Sequence, residues 1–570
     1  METNLSRRGF LTGAAAAGAL AAMGLAGCAP SPAAEGGTKT AETGAAATSW
    51  RDKPEMPTEF VETVDADIVV VGAGNGGLVA ATTAAQNGAK VIVLEKIGNI
   101  AMAREAIGAL NSKLAPDHQE DVPTLLNHAN QTQSGDANML LYKTWAEKSG
   151  EMIEWMADTL GPKGMLFPFE WHCPDDPHAY YPAMCYNPCI GEYNPDGPNY
   201  NSYAHLEVMA DVFTNDLGGE IRFECPAQQL VQDESGRVTG VIAEGKDGFV
   251  QVNAAKGVIV CTGGYGANTE MLDELCPGNS SWCALNSSVT ETGDGIRMAL
   301  WAGAELEAGG GCMVWNRAIL PDGFEFNGDR MGGDIFLPGS QPFLHVNVNG
   351  ERFMNEDQCY PMSYAAGANQ PKHYSWIVWD GNYWDDIAQF DTCGCSRLYP
   401  APSGTAFNAD VYDCEALTKE HLDEFWLAPR LEAGTLKKAD TLEALADMME
   451  FDADQKATFL ATVERYNGLV AAGEDTDFGK PAYRLSDVET APFYAARIAG
   501  ALLVTIHGVI TDVNSQPLRN DGTVIEGLYV CGNDQGGFYP HNYPSNFTGI
   551  NAGRTATFAR IAAKHALGVE

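Results

Sequence analysis

Asp65-Ala66-Asp67-Ile68-Val69-Val70-Val71 runs into Gly72-Ala73-Gly74-Asn75-Gly76-Gly77 and on into Leu78-Val79-Ala80-Ala81. The β-branched run has the length of a buried strand, the glycines mark a turn, and the alanine-rich continuation reads as a helix. In that geometry Gly72 permits the tight turn, Gly74 lets backbone come close to a pyrophosphate, and Gly77 lets the helix lie against the strand. Phosphate charge meets the unpaired amides of the helix N-terminus. The helical pattern stops at Asn87-Gly88, and Lys90-Val91-Ile92-Val93-Leu94 forms the next strand, closing on Glu95 and Lys96. Glu95 stands 18 residues after Gly77, where a carboxylate can accept hydrogen bonds from ribose hydroxyls. Together these features predict a dinucleotide-binding unit with contacts from Gly72, Ala73, Gly74, Asn75, Gly76, Gly77, Glu95 and Lys96.

Outward from this unit three more segments carry nucleotide-site signals. Val258-Ile259-Val260-Cys261-Thr262-Gly263-Gly264-Tyr265 is a second buried strand entering paired glycines, and Thr292-Gly293-Asp294-Gly295 heads a helix. Near the end, Gly527-Leu528-Tyr529-Val530-Cys531-Gly532-Asn533 precedes a Gly/Tyr/Pro/Asn-rich turn and the helix opening around Gly553-Arg554-Thr555. In this order the four motifs resemble the flavoprotein family of fumarate reductases, succinate dehydrogenase flavoprotein subunits and 3-ketosteroid Δ1-dehydrogenases, over residues 64 to 568. The resemblance implies an α/β fold: a Rossmann-like FAD-binding domain (60–318 and 503–570) split by an inserted α+β capping domain (319–502). It implies FAD held through turnover, with hydride moving between flavin N5 and a C=C or C–C bond. Further contacts carried over are Met102, Ala103, Gly108, Ala227, Gly263, Asp294, Gly532, Asn533, Gly549 and Ile550. Two departures stand out. The family's Gly-Gly-Asn-Ser run reads Ile100-Ala101-Met102-Ala103, and its acid after the C-terminal glycine reads Asn533.

Substrate chemistry is read from a further set of departures. Fumarate reductases clamp a dicarboxylate with guanidinium groups, which pair bidentately with carboxylates and stay charged. The family's proton-donating arginine follows a Gly-x-Arg-Phe-x-Asn-Glu motif, here Gly350 to Glu356, and eight residues past Arg352 the chain has Tyr360. The second clamping arginine falls at Tyr543, with Tyr539 as its rival in the same turn. The acid and arginine of the family's proton path fall at Phe336 and Gly339. Paired tyrosines are the pattern of the ketosteroid Δ1-dehydrogenases. By that resemblance Tyr543 polarises a carbonyl together with the Gly549 amide, and Tyr360 moves the proton on the neighbouring carbon. His507 is a third catalytic candidate, with a flavin-neighbour or core histidine as its other reading. Arg352 is expected in a salt bridge supporting the cap or flavin. A phenol, with a reference pKa near 10, suits an enol or ketone α-carbon better than a guanidinium does. The pattern predicts reduction of a C=C conjugated to an uncharged carbonyl, in an enone, steroid-like or aromatic compound. The oxidative direction on a cyclic ketone and reduction of an unsaturated carboxylate are the alternatives, with a non-enzymatic flavin-binding lipoprotein as the reading outside enzymes.

At the other end of the chain, Ser6-Arg7-Arg8-Gly9-Phe10-Leu11 and the Ala/Gly/Leu run after it have the order of a twin-arginine export signal. The segment 1–28 closes on Leu25-Ala26-Gly27-Cys28, which resembles a lipobox with Cys28 as the lipid-bearing residue. Residues 29–60, rich in Ala, Gly, Pro, Ser and Thr, read as a flexible tether. The expected location is therefore the cell surface or the outer face of the cytoplasmic membrane, in anaerobic respiration with the substrate as terminal acceptor. Cys-x-x-Cys-His does not occur in the chain, so an external membrane-linked cytochrome or quinol-linked protein is the expected electron carrier. Cys185, Cys189, Cys393 and Cys395 lack the second pair of a zinc or cluster site, and no metal is expected. Thirty-five Lys and Arg against 75 Asp and Glu leave a net charge of −40, which argues against nucleic acid as a partner. Aromatic groups from Trp145 to Trp171 and from Trp376 to Trp384 read either as ordinary packing or as an apolar lid.

Overall fold

The structure, a computed structural model, describes residues 49–101, 106–170, 180–190, 204–326, 334–390, 392, 398, 418–540 and 542–569. The signal segment with Cys28, most of the tether, Met102, Ala103, Trp171, Cys393 and Cys395 lie outside the described residues.

The elements that build the site are β1 (Glu62–Val71), α1 (Asn75–Gln86), β2 (Val91–Leu94), β3 (Gly248–Val260), α2 (Asp294–Trp301), β4 (Cys312–Ile319), α3 (Tyr360–Ala368), β5 (Phe493–Thr505), β6 (Leu528–Val530) and α4 (Ile550–Leu567). β1 pairs in parallel with β2 and β3, and β6 pairs in parallel with β3. Val71 stands level with Leu94 and Val260, and Val260 with Val530. Gly72, Glu95, Cys261 and Cys531 therefore leave the sheet along one edge. Ligands of open parallel sheets bind in the crevice beyond the carboxyl ends of the strands. Ile68 to Val71 are all buried, as a strand covered on both faces requires. An antiparallel extension, Ala227–Gln232 and Val238–Gly245, continues the same sheet from β3.

The alanine and glycine content of α1 follows from its position. Asn75 to Ala84 are all buried, because the helix is wedged between the sheet and α4. A Cβ on Gly77 would stand 1.7 Å from the Gly72 carbonyl oxygen, so the close helix–strand approach depends on glycine there.

A second sheet forms the cap, with β5 at its centre, paired antiparallel to β4 and to Ser375–Trp379. The divisions at 318/319 and 502/503 fall inside β4 and β5, whose residues pair from Cys312↔Thr505 to Ile319↔Ile498. Two strands that pair with each other through two register shifts carry the chain into the cap and back. Trp379 and Tyr383 are buried in the cap core, and Trp379 stacks on Tyr494 at 5.5 Å. Trp145 is fully buried in the core around α1 and α4. These aromatics are packing groups.

The tether also needs correction at its end. Trp50 is buried against the FAD-domain core. Its indole Nε1 donates to Glu274 Oε2 at 2.6 Å, and Arg51 reaches the same carboxylate at 2.7 Å. A large apolar ring and a cation, placed opposite an apolar groove and an acid, fasten what composition alone reads as loose. No helix among the described residues is long and apolar enough to cross a membrane.

Candidate active site

At the edge defined by the strand ends, Gly72 adopts φ +100° and its Cβ would fall 2.3 Å from the Cys261 carbonyl oxygen. Gly74 has nothing nearer to its Cβ position than the Ala101 side chain at 3.6 Å. α1 starts at Gly74 without a side-chain cap or an acid in its first turn, which leaves its first amides to an anion. Glu95 is buried; its Oε2 accepts from Ala73 N at 2.7 Å and its Oε1 from Ile97 N at 3.1 Å. A carboxylate has about four acceptor positions, so room remains for ribose hydroxyls. Lys96 Nζ donates to Asp294 Oδ2 and to Thr292 Oγ1, both at 2.8 Å. These two expected contacts hold each other across the site. Cys225 N bonds Glu95 O at 2.9 Å, which brings the strand opening at Ala227 to the same edge.

On the opposite side, Gly108 N donates to Gly549 O at 2.8 Å. Gly549, at φ +74°, starts α4 without a side-chain cap, so Ile550 and its neighbours present a second open helix N-terminus. Gly263 and Gly532 take φ +95° and +67° where β3 and β6 end. Asn533 Oδ1 accepts from Asn551 Nδ2 at 2.9 Å. The acid that sequence comparison finds replaced by Asn533 has a neighbour: Asp534, fully buried, accepts from Thr262 Oγ1 at 2.9 Å and from Gly264 N at 3.0 Å. Burial raises its pKa, against the lowering effect of these hydrogen bonds. It clamps the ends of β3 and β6.

FAD fits this frame. Two open helix N-termini face it, glycines stand where a Cβ would crowd backbone, and two buried polar atoms, Asn75 Oδ1 and Glu291 Oε2, have no hydrogen-bond partner among the described residues. Buried polar atoms are normally paired, and a pyrophosphate with ribose and ring donors supplies such partners. Glu291 escaped the sequence reading, although it directly precedes the Thr-Gly-Asp-Gly motif.

The segments that carry two of the tyrosine candidates approach each other at Cys359 and Ser545. Tyr360 opens α3, half-buried, with a proline next in the first turn, where fixed φ suits a helix start. It packs on the same core cluster that contains Tyr539, Tyr543 and Ile550. The thiol of Cys359, the residue before it, faces Ser545, two residues beyond Tyr543, and burial raises its pKa. The Tyr543 turn is held by Asn542 N donating to Gln133 Oε1 at 3.3 Å and by Asn546 Nδ2 donating to Tyr180 O at 2.9 Å. Tyr543 is 6% exposed, and its ring lies 5.3 Å from that of Tyr539, which is fully buried.

His507 is placed otherwise. Nδ1 meets the Tyr265 hydroxyl at 2.8 Å and Nε2 meets Glu307 O at 3.1 Å. Both ring nitrogens are engaged inside the protein and burial lowers its pKa. Phe336 is fully buried against Trp379, with no polar atom in its side chain to relay a proton. Arg352 is a cap support: it pairs with Glu356 and Asp475, both at 2.8 Å, and all three side chains are almost wholly buried.

Two guanidinium groups that sequence reading gave no role stand behind the tyrosines. Arg317, on β4, is 2% exposed, with its guanidinium carbon 4.6 Å from the Trp315 ring centroid and 5.0 Å from that of Tyr360. Arg554 is fully buried 4.8 Å from the Tyr539 ring and donates to Gln535 O at 3.2 Å. The signal for Arg317 was a charged residue inside the strand Cys312–Ile319, whose other residues apart from Asn316 are apolar.

A parallel-sheet dinucleotide site with two open helix N-termini and crowded glycines is the frame of an FAD-dependent oxidoreductase. The chain belongs to the family described as FAD binding domain, which matches residues 67–546. It is 28% identical to a vinyl phenol reductase of Lactiplantibacillus plantarum, over 88% of this chain and 96% of that protein. It is also 28% identical to a digoxin reductase of Eggerthella lenta, over 95% and 94% of the two chains. Its fold is similar to a 3-ketosteroid Δ1-dehydrogenase from Sterolibacterium denitrificans, with a TM-score of 0.69 at 19% identity, over 88% of this chain and 99% of the other.

Proposed function

We propose that this FAD-dependent oxidoreductase acts on CH–CH groups as an exported reductase, saturating a C=C bond conjugated to an uncharged carbonyl or an aromatic ring. Bound FAD supplies the hydride. The chain supplies the rest: Tyr543, with the Gly549 amide, donates hydrogen bonds to the substrate oxygen, and Tyr360 delivers a proton to the carbon next to it. Donors aimed at an oxygen that gains negative charge lower the barrier, each by about 3 to 4 kcal/mol. The observation that supports this reading is that the segments carrying Tyr360 and Tyr543, both standing at positions where a dicarboxylate enzyme needs arginine, approach each other where the Cys359 thiol faces Ser545. The two reductases that match nearly the whole chain are named for vinyl phenol and digoxin, which supports acceptors of this kind. The same residues serve the reverse reaction; direction follows the potentials of substrate and carrier.

The proposal includes a lipid anchor at Cys28, a position on the outer side of the cytoplasmic membrane, and electrons from a membrane-linked carrier. The experiment is anaerobic single turnover of photoreduced protein with an enone. Tyr360→Phe retains the flavin spectrum and slows reoxidation by about 10²-fold or more, and Tyr543→Phe by about 10² to 10³-fold. Unchanged rates in both variants refute the assignment.

A further inference from the structure

Arg317 is a buried cation with a defined place. β4 pairs with β5 on both sides of Arg317, which itself stands at a register shift between Asn316 and Ala318, and Asn316 Nδ2 donates to Ser363 Oγ on α3 at 2.6 Å. Phe336 N donates to Arg317 O at 2.8 Å, and at Gly339 a Cβ would lie 3.5 Å from the Arg317 Cα. The backbone of Arg317 is thus fixed on both sides, and its guanidinium is directed onto the Tyr360 ring at 5.0 Å. Burying a guanidinium is expensive and it cannot shed its charge. A cation in that position stabilises negative charge on the ring far more than it stabilises a neutral phenol.

Charged and titratable groups stand on every element packed against α3. β4 brings Arg317 and Cys312; β5 brings Tyr494 and Arg497, the latter paired with Asp322 at 2.8 Å. Ahead of the helix stand Cys359 and Asp357, with Arg484 Nε 3.5 Å from the Asp357 carboxylate. The helix itself carries Tyr364, and Lys372 and His373 follow its far end. Of these groups, Arg317 is the cation that lies over the Tyr360 ring.

We infer that Arg317 is a positioning residue for proton transfer: it orients Tyr360 and compensates the phenolate left when the hydroxyl proton goes to the substrate carbon. The inference rests on the proton-donor role of Tyr360 given above. In the step, the O–H bond of Tyr360 breaks and a C–H bond forms on the carbon that received the electron pair as hydride reached its neighbour. The phenolate then takes a proton from water.

The test is the pH profile of anaerobic single turnover, photoreduced holoprotein with an enone, over roughly pH 6 to 10. The wild-type rate falls on the alkaline side as Tyr360 ionises. In Arg317→Met that limb moves up by about one pH unit, and the rate below it falls about tenfold, because the phenol is a weaker acid. Arg317→Lys, which restores the charge, brings the limb back toward wild type. Should the Met variant fail to retain flavin, Arg317→Gln, of similar polarity without charge, is read in the same way. An alkaline limb at the wild-type position in the uncharged variants overturns the inference. Tyr360→Phe separates the two claims. Loss of the limb in that variant with no movement in the Arg317 variants leaves Tyr360 as donor and removes Arg317. Persistence of the limb in Tyr360→Phe removes the donor itself.

Discussion

Gly553 in α4 lies so close to Gly108 that a Cβ on Gly553 would stand 1.7 Å from the Gly108 carbonyl oxygen. This contact holds the start of α4 against the segment that carries the Gly108 amide to Gly549 O. Gly553→Ala is therefore expected to force the two segments apart and to give protein with little or no bound flavin. Visible absorbance of the purified variant, set against its far-ultraviolet dichroism, checks this. A fully yellow variant would show that the approach is not needed.

Arg352 holds the cap through buried partners. Its guanidinium donates to Glu356 Oε1 at 2.9 Å and to Asp475 Oδ2 at 2.8 Å, and Lys480 stands 3.4 Å from Glu356. Removing one member leaves carboxylates buried without their cation, a loss of about 3 to 5 kcal/mol. Arg352→Met should lower unfolding stability by that amount in urea titration. Its folded fraction should keep the flavin spectrum, because the network lies within the cap.

Acid lability should begin early, on account of two histidines. Burial holds His205 and His345 at about 4, with Lys480 adding to the effect at His345. Both are neutral when folded and take up a proton on unfolding below about pH 6.5. Stability is accordingly full above that pH and is lost as pH falls from about 6.5 to 4, by about 1.4 kcal/mol per pH unit for each histidine. Below that range Asp475, whose pKa is lowered by Arg352 and backbone amides against the opposing effect of burial, adds its own loss. Urea midpoints across this range should fall steadily, and His345→Asn should flatten the slope. A flat profile down to pH 5 would contradict the buried neutral state.

Local chemistry made the cofactor half legible. The glycine turn, the strand ends and Glu95 sit within one continuous stretch, and each constraint acts over a few residues. The cap was less legible because its determinants are long-range. β4 and β5 are distant in sequence yet pair with each other through two register shifts, a relationship that no local motif announces. Tyr360 was found by counting from a motif. Arg317, which meets the Tyr360 ring, was not, because that contact arises only when β4 packs on α3. Trp50 shows the same limit: a tether's composition says nothing about one ring that finds a groove.

The central claim is that this flavin site serves acceptors whose reacting bond is conjugated to an uncharged oxygen function or ring. The most direct measurement is the rate at which photoreduced protein is reoxidised anaerobically by a panel of enones, vinyl phenols, cinnamate-like acids and dicarboxylates. The account predicts rapid reoxidation by enones or vinyl phenols and slow or absent reoxidation by fumarate. Rapid reoxidation by fumarate with no response to the uncharged compounds would contradict it.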